Sequence, residues 1–404
     1  MEAQLHSFRQ QRGENTLQWA PDLKEFKSWR LSDYSSNDRI LWIRGTLGIG
    51  KSTLAGYYID LLNCHNPNSI VAYFFCRSNQ PGLTKARDII RTLAYQCISR
   101  DSQARAVLEA LKRQGFRIGD NLGVGYLFHK LLLEPVRVTE REIFIIIDGV
   151  DEADLTTLGD ADHSERPEIS ILLHCLTKLP STRLLFLSRP TANIASIIST
   201  IVKPIGMAEN GEDITAYVEK TVAKSDKLKI FFANENVDPI AYFQTYANGI
   251  FLWVVLVLEQ LEKCKSRSAF QKGLDDFSAA SGSMDKLYLN IISKVSEEDQ
   301  PWVREITRWV FVVQRQCLES DLQKAVEWRL GDSLADFRGF LEVECGSILH
   351  LPPWSDNSDR PVQFVHETFR SFLLKEGKCP TEFLIREDLI RRLYTIDIRP
   401  ERSC

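Results

Sequence analysis

No run of apolar residues in this chain is long enough to cross a bilayer as a helix. The longest, Ile250 to Leu258, has nine residues, where about 20 are needed. The nine cysteines form no C-x-x-C and no paired Cys/His spacing of a zinc site. The adjacent Cys64 and His65 read as structural, and the cysteines as mostly buried thiols in a reducing compartment. The net charge of −4 gives no general attraction to nucleic acid or to an anionic membrane. The N-terminus is mixed polar and charged, without the apolar core of a signal peptide. No internal repeat of 20–50 residues is found, which excludes a solenoid. The expectation is a cytoplasmic chain with neither a membrane nor a nucleic-acid partner.

What is present is an ordinary globular composition, 44% hydrophobic and 26% charged over 404 residues, enough for two or three domains. Residues 1–38 are polar with spaced aromatics (Phe8, Trp19, Phe26, Trp29, Tyr34) and read as a helical lead-in packed on the next domain. Strands then alternate with helices. The strand candidates are Ile40–Arg44, Ile70–Cys76, Ile143–Asp148, Leu184–Ser188 and, more weakly, Val202–Gly206. The helical candidates are Lys51–Leu62, Ala86–Arg100, Gln103–Gln114, Tyr126–Leu133 and Glu168–Leu179. Near-continuous apolar strands between helices imply an α/β fold with a parallel sheet covered on both faces. Thr156–Pro167 reads as a surface loop.

From about residue 208 the texture turns helical. Asn248-Gly249 breaks the chain before an apolar helix, Ile250–Leu261, and Met284–Trp328 reads as a further helical region. From Phe337 helix, short strands and loop follow: a hairpin tip at Pro352–Asn357, a strand at Val362–Val365 and a closing helix at Glu367–Leu374. The tail Lys378–Cys404 carries apolar helical matter at Phe383–Leu393. The implied domains are a lead-in over 1–38, an α/β core over 39–208, a helical domain over 209–278, a winged-helix-like domain over 279–377 and a tail over 378–404.

The chemistry starts at Gly45-Thr46-Leu47-Gly48-Ile49-Gly50-Lys51-Ser52, a full match to G-x-x-x-x-G-K-[ST] between a strand and a helix. A chain of this length meets that pattern by accident about one time in a hundred. The glycines let successive N–H groups turn toward phosphate oxygens, and the helix start favours an anion. Gly45, Gly48, Ile49, Gly50, Lys51, Ser52 and Thr53 are therefore the candidate phosphate cradle, with Ser52 offering a hydroxyl to magnesium.

A second half of the site follows from the strand Ile143–Ile147, which ends in Asp148-Gly149-Val150-Asp151-Glu152. A carboxylate at the carboxyl end of such a strand faces the same side of the sheet as the phosphate loop. Asp148 is the magnesium candidate, and Asp151 or Glu152 the group that orients or deprotonates water. Taken alone, the same residues also read as an acidic turn after a buried strand. The strand Leu184–Leu187 ends in Ser188-Arg189-Pro190. Arg189 stands where P-loop ATPases with an extra strand between their two motif strands place a γ-phosphate sensor; it also reads as a solvated arginine in a turn. The N-K-x-D base-reading motif of Ras-like GTPases is absent, and the chain runs on far past the sheet and lid of a small-molecule kinase.

These motifs resemble the NACHT domain of fungal STAND-type NTPases, relatives of NOD-like receptors and vegetative-incompatibility proteins. They are similar also to the nephrocystin-3 N-terminal P-loop domain. The resemblance rests on Ile43-Arg44-Gly45, Gly50-Lys51-Ser52-Thr53-Leu54, Tyr73-Phe74-Phe75-Cys76, Asp148–Glu152 and Leu187-Ser188-Arg189-Pro190. It extends to Thr16-Leu17-Gln18-Trp19, Phe26-Lys27-Ser28-Trp29, Ala247–Trp253, Cys345–Leu349 and Phe364–Thr368. It implies a P-loop NTPase sheet of the ASCE/STAND type, then a helical domain and a winged helix.

It also implies a signalling switch in which ADP or GDP holds an off state and ATP or GTP with Mg2+ permits homo-oligomerisation through the NTPase domain. Slow hydrolysis by Lys51, Asp151, Glu152 and Arg189 belongs to that picture, as does a role in fungal non-self recognition. In related switches a histidine near the winged-helix end contacts the diphosphate. His366 holds that position, and reads equally as a helix N-terminal residue satisfied locally. Departures are Leu47, where fungal members commonly have proline, and Asn248-Gly249-Ile250, which lacks a proline found in related switches. Neither an N-terminal effector domain nor C-terminal repeats are visible, so the chain reads as a core fragment or as a stand-alone switch. The alternatives are a nucleotide-ordered scaffold without turnover and a DNA-handling ATPase.

Overall fold

A computed structural model describes residues 1–34, 37–77, 82–119, 122–153, 168–190, 201–204, 207–313, 317–351 and 359–386. The chain divides into two units, Met1–Lys220 with Gly249–Phe251, and Thr221–Asn248 with Leu252–Cys404.

The first unit is built on five parallel strands: β1 (Ile40–Arg44), β2 (Ile70–Phe75), β3 (Ile143–Asp148), β4 (Thr182–Ser188) and β5 (Ile201–Pro204). Their spatial order is β2-β3-β4-β1-β5. β4 thus lies between the phosphate-loop strand β1 and the acidic strand β3, pairing Ile43 with Leu187 on one side and Ile147 with Phe186 on the other. This is the ASCE arrangement of P-loop NTPases, with the extra strand where the motifs anticipate it.

Both faces of the sheet are buried because successive side chains alternate. Trp42, Phe74, Ile145, Ile147 and Phe186 enter one core with the helices Ala86–Arg100 and Glu168–Leu176. Ile43, Phe75, Phe144, Ile146 and Leu187 enter the other, against the Lys51–His65 helix. The lead-in belongs to that second core. Phe26 and Trp29, from the helix Lys24–Leu31, are fully buried; Phe26 stacks on Tyr58 with ring centroids 3.9 Å apart, and the Trp29 indole donates to the Leu184 carbonyl at 2.9 Å.

The helix expected at Tyr126–Leu133 is longer. It starts at Val124, widens into a π turn over His129–Leu133 and continues through Glu134–Val138. Pro135 is tolerated beside that widened turn, where the regular ladder is already interrupted. The Thr156–Pro167 loop lies outside the described residues.

In the second unit the helices Asp226–Asn234, Pro239–Tyr246, Phe251–Lys263 (whose first residue belongs to the first unit), Arg267–Ala279 and Met284–Ser293 pack as a helical array. Three more helices, Gln300–Val312, Glu319–Leu330 and Phe337–Val343, combine with a small antiparallel sheet in a winged-helix arrangement. Its strands are β6 (Cys317–Leu318), β7 (Leu349–His350) and β8 (Pro361–Phe364), with β8 central. β6 corrects the reading of Met284–Trp328 as wholly helical. Two residues of strand carry no periodicity, and only pairing with β8 fixes them. The Pro352–Asn357 tip lies outside the described residues. The expected tail helix from Phe383 does not begin within them, since Phe383 is turn and Leu384–Arg386 carry no regular structure. No helix among the described residues is long and apolar enough to cross a membrane.

Candidate functional site

The phosphate loop leaves β1 at Gly45, whose N–H donates to the Ser188 carbonyl at 3.2 Å, tying the loop's start to the end of β4. Gly48 and Gly50 have φ of +78° and +102°, values that side chains other than glycine rarely adopt. Around Gly50 nothing lies within 4 Å of where a Cβ would stand, so the turn opens onto space. Ile49 is buried beneath the loop. Lys51 and Ser52 occupy the first turn of the helix that Gly50 caps, with Thr53 next to them.

Lys51 Nζ folds back on the loop, donating to the carbonyls of Gly45 and Thr46 at 2.9 Å each. Desolvation pulls its pKa below the usual lysine value, against the opposing pull of Asp148 and Asp151. Ser52 Oγ donates to Asp148 Oδ2 at 2.6 Å. Asp148, at the end of β3, is 1% exposed. Burial pushes its carboxyl up, while Arg77, Ser52 and Lys51 work in the other direction.

The acidic turn is locked to its neighbours by backbone. The Cys76 N–H donates to the Asp148 carbonyl and the Gly149 N–H to the Leu187 carbonyl, both at 2.8 Å. Gly149 sits at φ +72°, and a Cβ there would stand 2.8 Å from the Cys76 carbonyl oxygen. Asp151 and Glu152 follow on a single 3-10 turn, Val150–Glu152. Asp151 accepts from Arg189 twice, the backbone N–H to Oδ1 at 2.9 Å and Nε to Oδ2 at 2.5 Å. The structure thus brings together the loop, Asp148, Asp151, Glu152 and Arg189 on one edge of the sheet. His366 is in the other unit, at the N-cap of the helix Glu367–Leu373, where its Nδ1 accepts from the Thr368 N–H at 3.1 Å.

Two residues here escape the sequence reading. Arg77, one residue past Cys76, reaches Ser52 Oγ at 3.2 Å, Asp148 at 3.6 Å and Glu152 at 3.9 Å. The available signal was that Arg77 stands two residues past the end of β2, which ends on the same side of the sheet as its neighbour β3. Asn210, buried in the helix Met207–Lys224, donates its amide to the carbonyls of Ile49 and Gly249 at 2.9 Å each. One turn on, Asp213 accepts from the Leu17 N–H and the Trp19 indole at 2.8 Å, which pins the lead-in to the same helix.

The donor set suits a nucleotide and magnesium. Open loop amides and a lysine suit phosphate, and a hydroxyl with one buried carboxylate suits an ion that draws its other ligands from phosphate and water. No trio of His, Cys, Asp or Glu among the described residues forms a self-sufficient metal cluster.

The family described as Nephrocystin 3, N-terminal, matches residues 15–189, which span both motif strands and Arg189. The vegetative incompatibility protein HET-E-1 of Podospora anserina is 27% identical over 398 residues, covering 88% of this chain and 26% of that protein. Over that region the chain is similar to P-loop NTPases of the NACHT/STAND type. Nucleotide and magnesium binding in general terms fit that similarity, and the chain spans about a quarter of the length of the curated relative it matches. Among solved structures, Cdc6p from Pyrobaculum aerophilum aligns with a TM-score of 0.37 and 12% identity, over 96% of this chain and 97% of that one. The Aeropyrum pernix ORC1 protein in complex with DNA aligns with a TM-score of 0.35 and 13% identity, over 93% of this chain and 92% of that one. Both likenesses are too distant to bear on the function of this chain.

Proposed function

We propose that this chain is a nucleotide-operated signalling switch that hydrolyses a nucleoside triphosphate slowly and acts in fungal non-self recognition; its HET-E-1 relative is named as a vegetative incompatibility protein. The observation that carries the reading is the Ser52–Asp148 hydrogen bond of 2.6 Å at the phosphate loop. It joins two residues 96 positions apart, the pair that would hold magnesium. Magnesium, when bound, supplies positive charge against the phosphate oxygens.

The chain's own residues do the rest. The loop N–H groups and Lys51 hold the phosphates and balance charge as it develops. Water attacks the γ-phosphorus, the bond to the bridging oxygen breaks, inorganic phosphate leaves, and the nucleoside diphosphate stays in the site. Asp151 takes the proton from that water and Glu152 orients it, while Arg189 reports the γ-phosphate. ATP and GTP both satisfy this scheme, with ADP or GDP in the off state and homo-oligomerisation through the NTPase unit in the on state. The test is to denature the purified protein and identify the released nucleotide chromatographically, with Lys51→Ala as control. Stoichiometric ADP or GDP, lost in the variant, supports a switch and identifies the base. A protein that holds no nucleotide and binds neither added ATP nor GTP overturns it.

A second reading, an ordered scaffold without turnover, is favoured by one observation: Asp151 is engaged by Arg189 through two hydrogen bonds. In that reading the pair never opens, and nucleotide binds without being consumed.

A further inference from the structure

Arg77 is a cation already standing where the proposed divalent ion has its protein ligands. Its guanidinium lies 3.2 Å from the Ser52 hydroxyl and 3.6 Å from the Asp148 carboxylate, with Glu152 at 3.9 Å, and the side chain is only 17% exposed. A second contact fixes where it points. The guanidinium lies over the ring of Phe8, 5.2 Å from its centroid, and Phe8 packs on Phe75 of β2 at 4.9 Å. Phe8 comes from the N-terminal helix Glu2–Gln11, which is anchored independently: Arg9 Nε donates to both Asp60 oxygens at 3.1 Å, and Tyr73 Oη donates to Glu2 at 2.7 Å. The ring and the strand end therefore grip one arginine from two sides.

We infer that Arg77 is a built-in counter-cation of the nucleotide site, and that Phe8 of the N-terminal helix is its positioning residue. The inference rests on the nucleotide-switch reading and deepens it. Without magnesium, bound phosphates face two carboxylates, Asp148 and Glu152, and Arg77 supplies the compensating charge. With magnesium held at Ser52 and Asp148, the ion would supply that charge and Arg77 would contribute less. Arg77 thus lets diphosphate stay bound when the divalent cation is scarce, and the N-terminal helix sets how well it does so.

The experiment measures affinity for fluorescent mant-ADP and, in parallel, mant-GDP on the full chain, in magnesium chloride and in EDTA. The quantity read is the ratio of Kd in EDTA to Kd in magnesium. Arg77→Ala raises that ratio about tenfold or more, the loss expected for one charge-assisted hydrogen bond. Arg77→Lys keeps most of the wild-type ratio. Phe8→Ala raises it part of the way, and Phe8→Trp, which keeps a ring face, restores it. Should Arg77→Ala fail to fold by circular dichroism, Arg77→Gln keeps a donor without the charge and is read the same way. An unchanged or lowered ratio in Arg77→Ala or Arg77→Gln, with wild-type chain binding normally, overturns this inference alone. Wild-type chain that binds neither probe in either condition overturns the switch reading with it.

Discussion

Arg189 holds Asp151 from two directions, backbone N–H to one carboxylate oxygen and Nε to the other. The Asp151 side chain is 6% exposed and that of Arg189 36%. The two ride on different elements, the turn after β3 and the end of β4. The proposed water activator and the proposed γ-phosphate sensor thus neutralise each other, and in the proposed reaction this pair has to open.

Asp151→Asn should lower turnover about 100-fold or more, the usual weight of a general base, while nucleotide affinity moves less than about threefold. Arg189→Ala should free the carboxylate and remove the sensor together. Single-turnover kinetics on both single variants and the double variant decide the case. If the double variant is no slower than either single one, the two act as a unit. Unchanged turnover in Asp151→Asn would favour the scaffold reading.

Lys51 carries a pH signature. Burial lowers its folded pKa below the ordinary 10.5, so the unfolded chain binds the proton more tightly. Stability then rises with pH between the lowered value and 10.5, and is lost as pH falls through the folded pKa. Lys51→Met should flatten that rise and leave the nucleotide-free protein at least as stable at neutral pH. It should also abolish the gain in melting temperature that nucleotide gives the wild-type chain. Thermal scans at several pH values, with and without nucleotide, read both effects. A variant still stabilised by nucleotide would place the phosphate elsewhere.

The sheet was legible because Ile143–Asp148 and Ile40–Arg44 are apolar runs ending in motif residues whose chemistry depends on spacing along the chain. Arg77 and Asn210 were not, because their roles exist only across the chain. Arg77 follows a strand as many solvated arginines do, and acquires its partners when β2 pairs with β3 in register, Phe75 opposite Asp148. Asn210 in a helix is an unremarkable polar residue until the fold brings Ile49 and Gly249 to it. His366 shows the converse. The residues allowed a local cap, and the structure shows its ring accepting from the Thr368 N–H.

Asn210 joins the back of the phosphate loop at Ile49 to Gly249, which has a φ of +73°. Asn210→Ala leaves two buried carbonyls without that donor, at about 1–3 kcal/mol. We expect a loss of stability of that size and weaker nucleotide binding, because the loop loses its rear support. Asn210→Asp should be worse, as a carboxylate would face two carbonyl oxygens. Denaturant unfolding together with nucleotide titration measures both. A destabilised variant with wild-type affinity would separate Asn210 from the site.

Gly149 and Gly50 make a controlled pair, since both have positive φ but only one is crowded. At Gly50 an added Cβ meets nothing within 4 Å, so Gly50→Ala incurs backbone strain alone, about 1–2 kcal/mol. At Gly149 the Cβ would stand 2.8 Å from the Cys76 carbonyl oxygen, a backbone atom that cannot swing aside. Gly149→Ala must therefore push the acidic turn away from β2 and loosen the Cys76 N–H to Asp148 carbonyl bond, adding the loss of a hydrogen bond to the strain. Its melting temperature should fall further than that of Gly50→Ala, at about 2–4 °C per kcal/mol. Its nucleotide affinity should become more sensitive to magnesium concentration, because Asp148 and Arg77 are carried on the two elements forced apart. Equal losses of stability in the two variants would mean that the β2–β3 edge yields without strain, and that the approach of Gly149 to Cys76 does not position Asp148.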